Sequence, residues 1–168
     1  MTGGTALRAA RGSDVDDIAR IWEAGWRDAH ADCVPEALSA FREASMYPPR
    51  VRARLGGTWV ALRHGVVAGF VVVHGDELEQ LYVAAAARGT GIGVALLRHG
   101  AAVIAAGGYE RAWLAVATGN VEARGFYECA GWADAGPISY AAEAGEASVE
   151  VPCRRLELAL GDTVPYVP

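Results

Sequence analysis

The chain has 168 residues, 52% of them hydrophobic and 21% charged, and carries a net charge of −5. That length and composition fit one folded domain, 1–168, with its own core and a short tail at 161–168, and they exclude a disordered chain. The acidic balance argues against nucleic acid as a partner, despite the local cluster Arg50, Arg52 and Arg54.

Cys33, Cys129 and Cys153 are far apart and form no C-x-x-C pair, so neither a zinc knuckle nor a disulfide framework is indicated. Residues 1–11 lack the shape of a signal peptide, and no apolar run is long enough for a bilayer. The expectation is a soluble cytoplasmic protein without a membrane partner.

In chain order, residues 5–9 read as a short strand. Ser13 is the expected N-cap of a helix, with Asp16 three residues on; Ile18, Trp22, Gly25 and Ala29 recur at helical spacing to about Ala31. Pro35 opens a second expected helix, 36–46, which Pro48 and Pro49 break. Residues 50–55 add a helical turn or two, closed by Gly56 and Gly57. The period then changes. Segments 58–63, 66–73 and 77–83 are β-rich and joined by turns too short for crossovers, so they form an antiparallel meander. A helix to Ala106 and a strand at 111–118 follow, which places strands 77–83 and 111–118 parallel through one right-handed crossover. Asn120 caps a short helix, 121–130, ended by Gly131. Residues from Trp132 on and 152–160 read as the last two strands, with the Ala/Gly/Glu-rich segment 137–148 between them as a loop.

The densest signal is Arg88-Gly89-Thr90-Gly91-Ile92-Gly93, set between the apolar strand and the helix. Free N–H groups at a helix start, and the helix dipole, favour an anion; the glycines let it approach, and Arg88 adds charge. This describes a socket for a phosphate-bearing cofactor. A Walker loop requires a lysine, and none follows Gly93. A dinucleotide fingerprint requires glycine at position 94, which is Val, and its ribose-binding acid should end a strand, whereas Glu110 precedes one.

The pattern Leu81-Tyr82-Val83, four alanines, the glycine loop and Leu96-Leu97, followed by the block from Asn120 through Gly131 and Trp132, resembles the GCN5-related N-acetyltransferase (GNAT) superfamily. The resemblance covers nearly the whole chain in element order. It implies an α/β fold with a mixed, mostly antiparallel sheet of about seven strands, one central splayed parallel pair, and helices on both faces. It implies acetyl-CoA as cosubstrate, with Arg88, Gly89, Thr90, Gly91, Ile92 and Gly93 around the pyrophosphate. Leu81, Tyr82 and Val83 would lie along the pantetheine arm, the Val83 N–H polarising the thioester carbonyl, with a strand bulge there opening the sheet. Tyr127 would be the acid beside the sulfur, and Asn120 a cofactor contact.

On a helix Asn120, Arg124 and Tyr127 stand at i, i+4 and i+7, which predicts one shared face, with Arg124 as a surface or cofactor-phosphate contact. Glu77 and Glu79 alternate onto one face of the strand leading to the cofactor, and either is a candidate base; mutual repulsion would raise one pKa. Trp26 and His30 are candidate acceptor-binding residues. His99 is expected to be exposed, and the four histidines suggest no metal site. The expected activity is transfer of an acetyl group to a primary amine by direct attack in a ternary complex. Rival readings are a non-catalytic acyl-CoA sensor and an acyltransferase using another acyl-CoA or acceptor. The sequence leaves the acceptor open among a small-molecule amine, an aminoglycoside-like drug, an amino acid, and a protein N-terminus or lysine, with a lean towards a cationic small amine; a homodimer is the commoner arrangement.

Overall fold

A computed structural model describes residues 4–30 and 32–161; the expected helix end at Ala31 and most of the tail lie outside them. The β-branched residues after Gly57 form the antiparallel meander β2 (Thr58–Arg63), β3 (Val66–His74) and β4 (Glu77–Val83). His64 and Gly65, at φ 53° and 79°, make the two-residue turn between the first two, whose twist matches that of the strands. β1 (Ala6–Ala9) pairs along β2. β5 (Arg111–Ala117) is reached through α4 (Ile92–Ala106) and lies parallel to β4. With β6 (Ala133–Ala144) and β7 (Ala147–Ala159) the sheet has seven strands in the order β1-β2-β3-β4-β5-β7-β6.

α1 (Val15–His30) and α3 (Tyr47–Arg54) cover one face of the sheet. Trp22, Ile18, Tyr47, Phe70 and Val60 make the core there. α4 covers the other face through Ile92, Leu96, Leu97 and Ile104, joined at its edge by α5 (Val121–Cys129). No helix among the described residues is long and apolar enough to cross a membrane.

Four local expectations are corrected. Ser13 is not the cap: it sits in a 3₁₀ turn, Gly12–Asp14, and Asp14 rather than Asp16 reaches back to accept the Arg11 N–H at 2.7 Å. Asp14 is buried and also takes both Nη atoms of Arg8, at 2.7 and 3.0 Å, so an ion pair replaces the hydroxyl cap. The helix expected at 36–46 is one turn, α2 (Glu36–Ser39), anchored by buried Leu38 and followed by a 3₁₀ turn. Pro48 and Pro49 start α3 instead of breaking a helix, because first-turn N–H groups have no intrahelical acceptor to lose. The loop expected at 137–148 is a long hairpin turning at Gly145-Glu146, with Gly145 at φ 63°. Its alanines and glycines hid a period-two signal: Ile138, Tyr140, Ala142 and Ala144 form one face, packed with Val149, Val151 and Cys153. Pro137 is tolerated because β6 is the sheet edge.

Candidate active site

β4 and β5 separate almost as soon as they meet. Glu77 opposite Trp113 is their one registered pair, fixed by the Trp113 N–H donating to the Asp76 carbonyl at 3.0 Å. A bulge sits in β4 at Glu79: Val72 faces Gln80 while Val73 faces Leu78. It lies four residues earlier than expected, near the base of the opening rather than at Val83. It also resets the alternation, so that Leu78 joins Leu81 and Val83 against α4 while Tyr82 turns to α1.

Beyond the bulge, the Ala84 N–H donates to the Ala68 carbonyl at 2.8 Å. In an antiparallel ladder bonded and non-bonded pairs alternate, so Leu81 and Val83 are non-bonded towards β3. Their N–H and C=O groups therefore face the gap. The opposite wall is β5 from Leu114 to Ala117, and the cavity measures about 650 Å³.

The glycine loop forms the mouth of this cleft. Gly89 and Gly91 stand at φ 74° and 86°, which a side chain rarely adopts, and Gly91 is the N-cap of α4. Ala95 is the first α4 residue whose N–H is used inside the helix, bonding the Gly91 carbonyl at 3.0 Å. The preceding amides are free for an anion. Thr90 Oγ1 donates to the Ala87 carbonyl at 2.5 Å and stiffens the turn. The Ile92 side chain is in the core, so only its backbone is available to a ligand. Exposed Arg88 pairs with Asp28 of α1 at 3.2 Å across the mouth. Among the loop residues Arg88, Gly89, Gly91 and Gly93 line the cavity.

α5 supplies the third wall through Ala123, Phe126 and Tyr127. Asn120 lines the cleft too, while its Oδ1 caps the helix by accepting the Ala123 N–H at 3.2 Å. Tyr127 packs edge-on against Phe126 and Trp132, and burial pushes its hydroxyl pKa up to about 12. Arg124 is not with them. Its guanidinium turns towards β6, donating to the Thr118 carbonyl at 3.2 Å and approaching Asp134 at 4.0 Å. Of the face expected for Asn120, Arg124 and Tyr127, Asn120 and Tyr127 line the cleft, along with Ala123, and Arg124 does not.

At the inner end the two β4 carboxylates diverge in state. Glu79 is held by Arg54 Nε at 2.7 Å. Glu77 accepts the Tyr140 hydroxyl at 2.7 Å and lies half-buried, and that burial, more than Glu79, raises its pKa above the ordinary carboxylate range. Trp26 and His30 line the cleft from the last turns of α1, their rings stacked with centroids 5.5 Å apart. Burial lowers the His30 pKa, and its Nδ1 lies 3.2 Å from the Trp26 carbonyl. Tyr82 also faces this end; it lies so close to Gly25 that any Cβ there would overlap its ring. Outside the cleft, His99 is half-buried, edge-on to Trp59 at 4.5 Å, rather than exposed.

A family model described as "Acetyltransferase (GNAT) family" matches residues 15–132, well over half of the chain. The chain belongs to this family. Among solved structures it is similar to a GCN5-related N-acetyltransferase from Rhodopseudomonas palustris, with 22% identity, TM-score 0.74, and 95% of this chain and 99% of that one covered. It is also similar to yncA from Salmonella typhimurium, solved with its cofactor acetyl-CoA (16% identity, TM-score 0.69, 96% and 97% covered). A paia N-acetyltransferase from Thermoplasma acidophilum in complex with coenzyme A shares the fold as well (14%, 0.69, 94% and 99%). No curated protein sequence matches significantly.

Several cleft residues of this GNAT protein were not anticipated from the sequence. Tyr140 comes from the segment read as a loop. Arg42 and Arg50 line the inner end; the sequence puts Arg42 in the helix expected at 36–46 and Arg50 in a basic cluster, and neither setting points to the cleft. The i, i+4 spacing of Arg50 and Arg54 is legible in the sequence and puts those two on one face of α3. Cys153 is also in the wall; burial pushes its thiol up to about 11, so it stays protonated at neutral pH.

Proposed function

We propose that the protein is an acetyl-CoA-dependent N-acetyltransferase that moves an acetyl group to a primary amine by direct attack in a ternary complex. One observation carries this reading: the free amides opening α4, the unpaired Leu81 and Val83 edge and the Tyr127 side chain all face one cleft, with Glu77 at its inner end. That donor set fits the ligand piece by piece. Amides of the Gly89–Gly93 loop, Arg88 and the Asn120 amide suit the phosphate end, and an open strand edge suits the amide-bearing pantetheine arm.

The thioester supplies an acyl carbon open to attack. The Val83 N–H donates to the acyl oxygen as negative charge develops there. Glu77 takes a proton from the incoming ammonium, and the burial that raises its pKa makes it a better proton acceptor. The amine nitrogen then bonds to carbon as the carbon–sulfur bond breaks; Tyr127 gives its proton to the leaving sulfur, and the second proton lost by the nitrogen on becoming an amide restores the Tyr127 hydroxyl, while Glu77 releases the first to solvent. Glu79, neutralised by Arg54, is the poorer base. Cys153, held as a thiol, is a poor nucleophile, in keeping with direct attack.

Calorimetry with acetyl-CoA, paired with measurement of free coenzyme A thiol over an amine panel, tests this. Binding with thiol release on amines is the expected result. Binding without release marks an acyl-CoA sensor, release only with alcohols marks another acyltransferase, and absence of binding overturns the reading altogether.

A further inference from the structure

The inner end of the cleft holds more positive charge than transfer to a simple amine requires. Such an acceptor arrives as a cation, and carboxylates alone would receive it best. Two arginines, Arg42 and Arg50, line it instead, and a third, Arg54, pairs with the lining residue Glu79. Arg54 is satisfied by Glu79 at 2.7 Å and Glu143 at 2.6 Å. Arg50 is not: its Nε lies 3.6 Å from the same Glu143 carboxylate, beyond hydrogen-bond distance, and its side chain is only 10% exposed. Arg50 Nε and Nη1 are buried and donate to no described residue, and neither does Arg42 Nε. The Arg42 Nη1 donates to the Phe41 carbonyl at 3.1 Å, and no carboxylate among the described residues pairs with this guanidinium.

Both guanidinium groups are held in place by aromatic rings. Arg50 lies over Trp22 at 4.2 Å and Tyr47 at 5.6 Å, and Arg42 over Trp26 at 5.5 Å. Buried donors without acceptors, beside a like charge, are costly, and a ligand anion relieves both costs at once. Burial depresses both groups, helped at Arg42 by the charge of Arg50, which brings it to about 10, and at Arg50 by the charge of Arg54.

We infer that Arg42 and Arg50 form a carboxylate-binding subsite, so that the acceptor is a small amine that also bears a carboxylate, an amino-acid-like zwitterion with its acid group on the two arginines and its amine towards Glu77. The planar fork of a guanidinium matches a carboxylate in geometry as well as charge. This rests on the N-acetyltransferase reading and replaces the simple cationic amine favoured by the overall acidity of the chain.

The test uses matched pairs: common L-amino acids and their decarboxylated counterparts, such as histidine with histamine and tryptophan with tryptamine. Turnover is followed by thiol release, and acceptor binding by calorimetry on protein saturated with coenzyme A. At least one amino acid is expected to have a KM ~10- to 100-fold below that of its decarboxylated partner. Arg50→Gln is expected to erase that difference and leave acetyl-CoA affinity unchanged, while Arg50→Lys restores part of it. Arg42→Gln repeats the measurement on a more exposed segment, should loss of the Trp22 contact unfold the first variant. Decarboxylated amines turned over equally well would overturn the subsite and leave acetyl transfer standing. If no amine is turned over, amino-acid binding lost in Arg50→Gln keeps the subsite and removes the transfer reading. Absence of amino-acid binding removes the subsite.

Discussion

The two ends of the cleft are built from different materials. The outer end is backbone: amides of a helix start, two left-handed glycines, and a strand edge left unpaired by the splay of β4 from β5. The inner end is side chains from distant elements, Arg42 after α2, Arg50 and Arg54 from α3, Glu77 and Glu79 from β4, and Tyr140 and Glu143 from β6. A backbone site requires only a contiguous stretch with the right conformational freedom, and the same stretch serves any acceptor. A side-chain site has to be assembled by the whole fold, so changes there are expected to alter acceptor preference.

Substitutions at the two ends should separate accordingly. The largest effect is expected at Tyr127, where Tyr127→Phe lowers kcat by ~100- to 1000-fold while calorimetric affinity for acetyl-CoA holds. Retained turnover would falsify its role as acid and leave the outer end as a pure binding device. Glu77→Gln should lower kcat/KM at neutral pH by ~10- to 100-fold. In the native protein activity falls as pH drops through the raised Glu77 pKa, and in the variant that acid limb disappears. Stability has the opposite sign: a carboxyl with a raised folded pKa stabilises the fold below its unfolded pKa, and that contribution is lost as pH rises through the folded value. Glu77→Gln should therefore melt no lower than native at pH 7, which distinguishes a lost base from a damaged fold.

Gly91→Ala forces a side chain into the left-handed region, and acetyl-CoA affinity should weaken ~5- to 30-fold with relative preference among acceptors intact. A changed preference would erase the division between the two ends. The smallest effect on catalysis is expected at Gly25→Ala, which pushes Tyr82 off α1 and should cost ~1–3 kcal/mol in thermal unfolding. Here KM for the acceptor moves and acetyl-CoA affinity does not.

The same contrast explains what was legible beforehand. The meander, the crossover, the glycine loop and the Asn120-capped helix are signalled within windows of a dozen residues, and they fold as read. The β6–β7 hairpin was obscured by alanines and glycines that pack against a neighbour rather than declare a strand, and Tyr140 was lost with it. Arg124, expected as a surface or cofactor-phosphate contact, does not line the cleft, because helical spacing fixes which residues share a side and not which side meets the cleft. Arg50 and Arg54 stand one helical turn apart in the segment 50–55, but nothing within that segment says which of its faces meets the cleft. Glu79 carried the right charge, but the arginine that neutralises it is 25 residues away in sequence.

The splay between β4 and β5 has a mechanical side. Within the sheet a single registered pair joins the ladder β1–β4 to the ladder β5–β7; the seam is also crossed by α4, packed on β3, β4 and β5, and by the Tyr140–Glu77 and Arg54–Glu143 contacts. The sheet is two leaves on one hinge. A ligand that hydrogen-bonds along both leaves sutures them, so amide exchange at Leu81, Val83 and the facing β5 residues should slow most on binding, and thermal unfolding should sharpen into one cooperative step.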